Sequence, residues 1–247
     1  MSWSFQLYSA RNFTPWEDVL AMVAAAGYDH VEGFGGLYAD PAGLRAMLDA
    51  NGLSMPTAHF GLDMLEGDFG KARSIAETLG VQTVICPHIA ADLRPADEPG
   101  WRSFAARLMA VNEACAKAGL AFAWHNHDFE FANTDGIVPM RVLLDAAPDI
   151  GWEMDVAWVV RGGADPLSWV HEYGTRIVAA HVKDIAPQGE AADEDGWADV
   201  GHGVLDWPAI MQALRERTAA KIFVIEHDNP SDAKRFATRS LASAQQF

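Results

Sequence analysis

Histidine and carboxylate residues recur in the second half of the chain, each time directly after a short apolar run. The segments are His125–Asp128, Asp155, His181–Asp184 and Glu226–Asp228. Imidazole and carboxylate together are donors that suit Mn²⁺, Mg²⁺, Co²⁺ or Zn²⁺. Burying Asp155, His181 and Glu226 on adjacent elements without a metal or a partner would cost several kcal/mol. These three residues therefore predict one bound divalent metal ion.

Such residues follow a sequence pattern that recurs along the chain: an amphipathic stretch, then a glycine, then a short apolar run. We interpret each glycine as the left-handed residue that ends a helix. These glycines are Gly27, Gly52, Gly80, Gly119 and Gly174. The apolar runs are typical of strands buried on both faces. A polar residue closes each run, namely Glu32, His59, His88, His125 and His181.

Helix starts and further apolar runs complete an alternation of helices and strands. Thr14–Glu17 predicts a helix capped by Thr14 with Pro15 in its first position. An aspartate plays the capping part at Asp40–Pro41, Asp165–Pro166 and Asp206–Pro208. Apolar runs at 3–8, 150–155 and 221–226 bring the predicted strands to eight.

Eight strand–helix units in about 250 residues predict a single (β/α)8 TIM barrel, an α/β fold. We expect one domain over residues 1–247. An open doubly wound sheet is the alternative, but no Gly-x-Gly-x-x-Gly follows the first predicted strand. The acidic, glycine-rich segment 185–204 is interpreted as a long loop, which on a barrel is often functional.

In such a barrel the chemistry lies at the carboxyl ends of the strands. Lys183 lies beside His181 there, so we expect it to contact a substrate oxygen and to assist catalysis. Asp184 and Asp228 are expected to cap helices or to orient a histidine. A lone polar residue at a strand end, such as Glu32, more often has a structural hydrogen-bonding role. The candidates for substrate binding are His59, His88, His127 and Lys183.

Taken in order, these segments resemble the xylose-isomerase-like TIM-barrel superfamily, which includes sugar isomerases and epimerases and the apurinic-endonuclease fold. The resemblance runs essentially from end to end of the chain. It rests on His125–Phe131, Asp155–Trp158 with Gly163–Pro166, His181–Asp184, Val200–Trp207 and Ile225–Asp228. Each segment alone is weak, but their order and spacing make the resemblance specific.

The resemblance implies one divalent metal held by Glu, Asp, His and Glu from the last four strands. Asp155, His181 and Glu226 match three of these positions, whereas His125 stands where the family has its first glutamate. That glutamate is also one of two acid/base carboxylates in the epimerases. Glu226 is therefore expected to be the main proton-transfer group. Glu130 is a candidate second base or fourth metal ligand.

The chemistry implied by the resemblance is proton abstraction beside a carbonyl, with the enediolate charge stabilised by the metal. Returning the proton makes the enzyme a sugar isomerase or epimerase, which is the leading prediction. Loss of a neighbouring hydroxyl or alkoxy group makes it a lyase or dehydratase on a keto-sugar or keto-glycoside. An endonuclease on abasic DNA and a non-catalytic sugar-binding barrel are further alternatives.

Composition separates some of these alternatives. With 34 acidic and 18 basic residues the formal charge is −16, which disfavours nucleic acid and anionic membrane surfaces as partners. No apolar stretch reaches the length of a membrane helix, and no signal peptide is recognised. The two cysteines do not make a disulfide framework. We expect a cytoplasmic enzyme for a small, neutral sugar, with homo-oligomerisation an open possibility by analogy with family members.

Overall fold

The computed structural model describes residues 2–247 and, within that range, contains a closed barrel of eight parallel strands. Met1, the first residue of the predicted domain, lies outside the described residues. The barrel strands are β1 (Ser2–Gln6), β2 (His30–Gly33), β3 (Ser54–His59), β4 (Thr83–Cys86), β5 (Ala121–His125), β6 (Gly151–Asp155), β7 (Ile177–Val182) and β10 (Ile222–Ile225). They close in the order β1-β10-β7-β6-β5-β4-β3-β2. The predicted (β/α)8 barrel is confirmed.

Helices connect the barrel strands on the outside. They are α1 (Trp16–Ala26), α2 (Pro41–Ala50), α3 (Leu62–Gly67), α4 (Phe69–Leu79), α5 (Glu98–Lys117), α6 (Pro139–Ala146), α7 (Val156–Arg161), α8 (Pro166–Tyr173), α9 (Trp207–Arg217) and α10 (Ala233–Ala244). Asp40, Asp165 and Asp206 cap α2, α8 and α9 through their side chains, as predicted. None of these helices is long and apolar enough to cross a membrane.

The predicted start of the first helix is wrong by one residue. Helix α1 begins at Trp16, and Pro15 precedes it in extended backbone with φ −76° and ψ 164°. Pro15 therefore lies outside the helix, and its side chain makes no capping hydrogen bond because it has no polar atom. The peptide bond between Thr14 and Pro15 is cis.

The glycine pattern is confirmed at four positions and wrong at one. Gly27, Gly52, Gly80 and Gly119 have positive φ, the conformation in which glycine carries no steric penalty. Gly174 instead has φ −53° and begins a short 3₁₀ helix. A Cβ atom there would lie 2.4 Å from the carbonyl oxygen of Arg217. Close approach of two backbones, rather than left-handed geometry, is the reason for glycine at this position.

Strand alternation divides the side chains between the helix layer and the barrel interior. Trp124 of β5 packs edge-on against Phe104 of α5, with ring centroids 5.3 Å apart. Trp152 of β6 contacts the indole of Trp169 in α8 in the same way. The next residues along these strands, His125 and Glu153, therefore face the interior, where they are paired in register. Two residues further along β6 and on the same face as Glu153, Asp155 pairs in register with His181 of β7.

The segment predicted as a long loop, 185–204, contains a short hairpin. Strand β8 (Asp184–Ile185) pairs antiparallel with β9 (Trp197–Ala198). The carboxylate of Asp184 accepts backbone hydrogen bonds from Ile185, Gly201, Gly203 and Leu205. This single side chain therefore ties the two ends of the excursion together.

Candidate active site

A cavity of about 580 Å³ opens at the carboxyl end of the barrel. Its lining residues follow seven of the eight barrel strands, which is where TIM barrels carry their chemistry. They are Tyr8, Phe34, Gly35, His59, Gly61, Pro87, His88, His125, His127, Trp158, Glu226 and Asp228. The predicted substrate-binding histidines His59, His88 and His127 thus share one cavity with the predicted ligands His125 and Glu226.

Asp155, His181 and Glu226 form a buried triad, each offering one ligand atom within 4.8 Å of the others. Nδ1 of His181 lies 2.8 Å from Oε2 of Glu226 and 3.9 Å from Oδ2 of Asp155. Oδ1 of Asp155 accepts the backbone N–H of Trp158, so the carboxylate also caps α7. Oδ2 of Asp155 is buried with no hydrogen-bond partner among the described residues. The structure thus brings together the three residues that the sequence predicts as metal ligands.

The two carboxylates of the triad have opposite pKa shifts. Burial raises the pKa of Asp155 to about 7; the nearby Lys183 ammonium opposes this rise and the Glu226 carboxylate adds to it. Burial acts on Glu226 in the same direction, but Lys183 and His181 outweigh it and hold the pKa of Glu226 well below its usual range. Glu226 is therefore ionised at neutral pH, which is the state a general base requires.

A second group of imidazole and carboxylate side chains lies in the barrel interior beside the triad. Oε2 of Glu153 is 2.8 Å from Nε2 of His59, 3.1 Å from Nδ1 of His125 and 3.2 Å from Nε2 of His181. His59, His125, Glu153 and His181 are all buried and satisfy the same geometric condition for metal ligands. His125, the expected fourth ligand, belongs to this group, and only His181 is common to both groups.

Glu153 was missed by the sequence reasoning. It lies mid-strand between Trp152 and Met154, and its signal was available: it precedes Asp155 by two residues and so shares its face of β6. Glu32 was assigned only a structural role, yet its Oε1 lies 2.7 Å from Nε2 of His181 and 3.0 Å from Nε2 of His59.

In this interior group, protonated histidines offset the negative charges of the carboxylates. Burial lowers the pKa of His59, but the carboxylates of Glu32 and Glu153 outweigh it and raise that pKa to about 9. The same effect raises the pKa of His181. His125 differs, because burial and the neighbouring His181 charge hold its pKa well below the usual value. A neutral imidazole remains able to donate an electron pair to a metal.

Lys183 is completely buried and lies 2.7 Å from the carboxylate of Asp228. Its ammonium is also 3.5 Å from Oε2 of Glu226 and 4.1 Å from the centre of the Trp197 ring. Burial lowers the pKa of this lysine, but the facing carboxylates outweigh that cost and raise it. The ammonium is therefore charged at neutral pH and stabilises ionised Glu226. Lys183 is not among the residues that line the cavity, so its expected contact with a substrate oxygen stays a prediction.

His127 faces the cavity between Trp158 and His88, with ring centroids 5.4 and 5.3 Å away respectively. Its Nδ1 is buried and has no hydrogen-bond partner among the described residues. Burial, reinforced by the Lys183 charge, lowers the pKa of His127 to about 3. His88 is exposed at the cavity mouth and contacts the guanidinium of Arg94.

Glu130 is the one predicted catalytic residue whose carboxylate is directed elsewhere. One oxygen accepts a hydrogen bond from the indole of Trp124 and the other from the backbone N–H of His127. Burial raises the pKa of Glu130 to about 8. With both oxygens engaged, the side chain stabilises the turn after β5, and the structure does not bring it to the triad.

Comparison with known proteins agrees with this architecture. A family model described as "Xylose isomerase-like TIM barrel" matches residues 20–245, so the chain belongs to that family. The family resemblance recognised in the sequence is confirmed.

Two curated relatives are similar in sequence. The rhizopine catabolism protein MocC of Rhizobium meliloti is 24% identical, over 89% of this chain and 77% of the relative. An inosose dehydratase from Geobacillus kaustophilus is 25% identical, over 68% of this chain and 62% of the dehydratase. The chain thus spans somewhat less than two thirds of that dehydratase.

Solved structures share the fold. A sugar phosphate isomerase/epimerase from Parabacteroides distasonis has a TM-score of 0.83 at 22% identity, covering 98% of this chain and 93% of that chain. The IOLI protein, solved with a zinc atom, has a TM-score of 0.77 at 17% identity, covering 100% of this chain and 96% of that chain. The chain thus belongs to a family whose named relatives include sugar isomerases or epimerases and dehydratases, and it carries a buried cluster of histidine and carboxylate side chains.

Proposed function

We propose that this chain is a metal-dependent enzyme that removes the proton beside the carbonyl of a keto-sugar or keto-cyclitol and then eliminates water or an alcohol. The observation that carries the proposal is the position of Glu226. Its ionised carboxylate lines the cavity, 2.8 Å from Nδ1 of His181 and beside charged Lys183. Similarity to inosose dehydratases favours elimination over the isomerase or epimerase reaction expected first from the sequence.

The donor set fits a divalent ion. Asp155 and Glu226 supply oxygen and His181 supplies nitrogen, and the free Oδ2 of Asp155 is a buried acceptor that needs a partner. His125, whose imidazole is held neutral, belongs to the neighbouring group and would have to move towards the triad to act as a fourth donor. A bound ion would act as a Lewis acid towards the substrate carbonyl.

The protein's own residues account for the proton transfers. Glu226 takes the proton from the carbon beside the carbonyl, and the electron pair of that C–H bond passes towards the carbonyl oxygen to give an enolate. The enolate then re-forms the carbonyl, and a carbon–carbon double bond forms as the neighbouring C–O bond breaks. Glu226 returns the proton to the departing oxygen, so water or alcohol leaves and the carboxylate is regenerated. Lys183 holds Glu226 ionised between turnovers.

The cavity lining determines which groups can move a proton. The two carboxylates that line the cavity, Glu226 and Asp228, both follow β10, and Asp228 lies 2.7 Å from the Lys183 ammonium. The other lining groups that can transfer a proton are the imidazoles of His59, His125 and His127. Proton abstraction by Glu226 is compatible with elimination, isomerisation and epimerisation, so the preference for elimination rests on the similarity to inosose dehydratases.

The cavity favours an uncharged substrate. None of its lining residues, within the described part of the chain, is lysine or arginine, and the charged imidazole of His59 is already paired with the carboxylates of Glu32 and Glu153. The formal charge of −16 argues in the same direction and against abasic DNA. A keto-sugar or keto-cyclitol without phosphate is the substrate class that this lining suits.

Incubation with candidate keto-sugars and inosose in D₂O tests the proposal. Elimination gives a product lighter by water or alcohol, whereas deuterium uptake without mass loss indicates an isomerase. Full activity in protein shown by elemental analysis to be metal-free would overturn the proposal. The test variant is Glu226→Gln, which should be inactive in this assay. Its matched control is Glu216→Gln, a change on the exposed face of α9 outside the cavity lining.

A further inference from the structure

The cavity has a polar floor and an aromatic mouth. His59, His125 and Glu226 are buried at the floor, whereas Tyr8 is 37% exposed and Gly35 is exposed at the mouth. The polar floor is the place where the proposed enolisation occurs. The mouth has a different chemical character and needs a separate explanation.

Two aromatic rings form one wall of the mouth. Tyr8 and Phe34, which follow β1 and β2, meet edge to face with ring centroids 5.4 Å apart. Trp16 supports Phe34 from behind at a centroid distance of 6.1 Å. The guanidinium of Arg11 lies 3.9 Å from the centre of the Tyr8 ring and donates a hydrogen bond to the Tyr8 carbonyl. The rings are therefore held in place before any ligand binds.

The cavity is larger than a single sugar ring requires. A volume of about 580 Å³ falls within the range of roughly 300–1,000 Å³ that is typical of pockets for drug-sized ligands. A hexose or a cyclitol has only about a dozen non-hydrogen atoms. When one such ring occupies the floor, space remains beside Tyr8, Phe34 and Gly35.

The remaining space suits a flat apolar group better than a second sugar. A sugar ring presents hydroxyl groups on all sides, and each needs a hydrogen-bond partner when it is buried. Around the mouth, Phe34, Gly35, Gly61 and Pro87 offer no side-chain donor or acceptor, and the polar side-chain groups beside them are the Tyr8 hydroxyl and the His88 imidazole, too few for the hydroxyls of a second sugar. Aromatic rings at such a wall pack best against another aromatic ring, face to edge or offset.

We propose that the mouth of the cavity binds an aromatic aglycone, so that the preferred substrates are keto-sugars that still carry an aryl group in glycosidic linkage. The inference rests on the proposed sugar function. The leaving group of the proposed elimination is then a phenol, whose ring packs against Tyr8 and Phe34 at the mouth. Gly35 keeps the space open, since a Cβ built there contacts nothing within 4 Å.

Calorimetric binding of phenyl β-D-glucopyranoside, methyl β-D-glucopyranoside and cellobiose to the metal-loaded protein tests the inference. We expect the phenyl glucoside to bind roughly tenfold more tightly than either of the others. This preference should fall to about twofold or less in Phe34→Ala, and in Gly35→Val, whose added side chain fills the open space. Phe34→Leu keeps an apolar side chain without the ring, so it provides a second test should the alanine variant fold poorly. Phe69→Ala, an aromatic deletion in α4 outside the cavity lining, is the control and should keep the preference.

Equal affinity for the phenyl and methyl glucosides would overturn the aglycone site, and so would cellobiose binding as tightly as the phenyl glucoside. Absence of phenyl glucoside binding at millimolar concentration would overturn it as well. None of these results bears on the proposed function, which is tested independently by proton exchange and product mass with keto-sugars. Conversely, a clear phenyl preference without any exchange would retain the aromatic site and remove the proposed reaction.

Discussion

Oε1 of Glu32 lies 2.7 Å from Nε2 of His181, although β2 and β7 are not neighbours in the barrel. The amide of Gln6 donates to the same oxygen at 2.7 Å. Because Nε2 of His181 faces Glu32, Nδ1 is left to face Asp155 and Glu226. Glu32 therefore selects which nitrogen of His181 is presented to the triad, the role that a carboxylate behind a metal-bound histidine commonly has.

Replacing Glu32 by glutamine should weaken metal binding. The amide keeps the size of the side chain but loses the charge that orients His181, so we expect metal affinity to fall by about 10- to 100-fold. Competition with a chromophoric chelator measures this affinity. Glu113→Gln, an exposed change on α5, should leave it unaltered. Equal affinities of the Glu32 variant and the wild type would show that the contact does not orient a ligand.

Replacing Glu226 by glutamine should abolish turnover while metal stays bound. Glutamine retains a carbonyl oxygen for the ion, and Asp155 and His181 are unchanged, but the amide does not accept a proton at neutral pH. We expect turnover to fall by about 10²- to 10⁴-fold. Deuterium exchange and elemental analysis on the same sample measure the two properties. A variant that retains metal and full exchange would exclude Glu226 as the base.

Replacing Gly174 by alanine should destabilise the fold. The added Cβ would meet a backbone carbonyl of Arg217 at 2.4 Å, and a backbone atom is not free to move aside. We expect a loss of about 1–3 kcal/mol in the free energy of unfolding, measured by urea denaturation. Gly67→Ala is the matched control, because its Cβ contacts nothing within 4 Å and its helical position tolerates alanine. Equal stabilities of the two variants would contradict the close approach.

Replacing Glu194 by glutamine should reduce stability in a pH-dependent way. Burial opposes ionisation of Glu194, but hydrogen bonds from Ser231 and Arg235 outweigh it and lower the pKa to about 2. Since this folded-state value is below the unfolded one, the stabilisation is present above about pH 4.5 and is lost as pH falls towards 2.

We expect Glu194→Gln to cost about 2 kcal/mol at pH 7, and the difference from wild type to shrink between pH 5 and pH 3. Chemical denaturation across that range measures the difference, with the exposed Glu190→Gln as control. A difference that is constant with pH would mean that ionised Glu194 is not the stabilising form.

Most of the framework follows from local signals in the sequence. The strands, the aspartate caps and four of the five glycines depend on residues close to one another in the chain, so periodicity and turn chemistry predict them. The errors at Pro15 and Gly174 have structural causes. Pro15 is held in extended backbone before the helix, and Gly174 is required by a contact with Arg217, more than forty residues away in sequence.

The site was predicted in part for the same reason. Asp155, His181 and Glu226 end adjacent strands, so their proximity follows from the barrel alone. The face on which Glu153 lies could be inferred from Asp155, but the contacts of Glu153 and Glu32 depend on which interior side chains meet across the barrel, and that is set by strand register. Glu130 is a candidate because it lies only five residues after His125 in the sequence. Both of its carboxylate oxygens, however, accept hydrogen bonds within the turn that it stabilises.

The Asp184 carboxylate has a consequence for how this barrel can vary. It joins the backbone at Ile185 to that at Gly201, Gly203 and Leu205, so segment 185–204 is closed at its base. Trp197, which belongs to this segment, covers the Lys183 ammonium. Insertions around Gly189 would therefore add little to the entropic cost of closing the loop, because that cost rises only slowly with loop length. The outer turn is free to acquire new residues over evolutionary time while the charge behind Glu226 stays shielded from water.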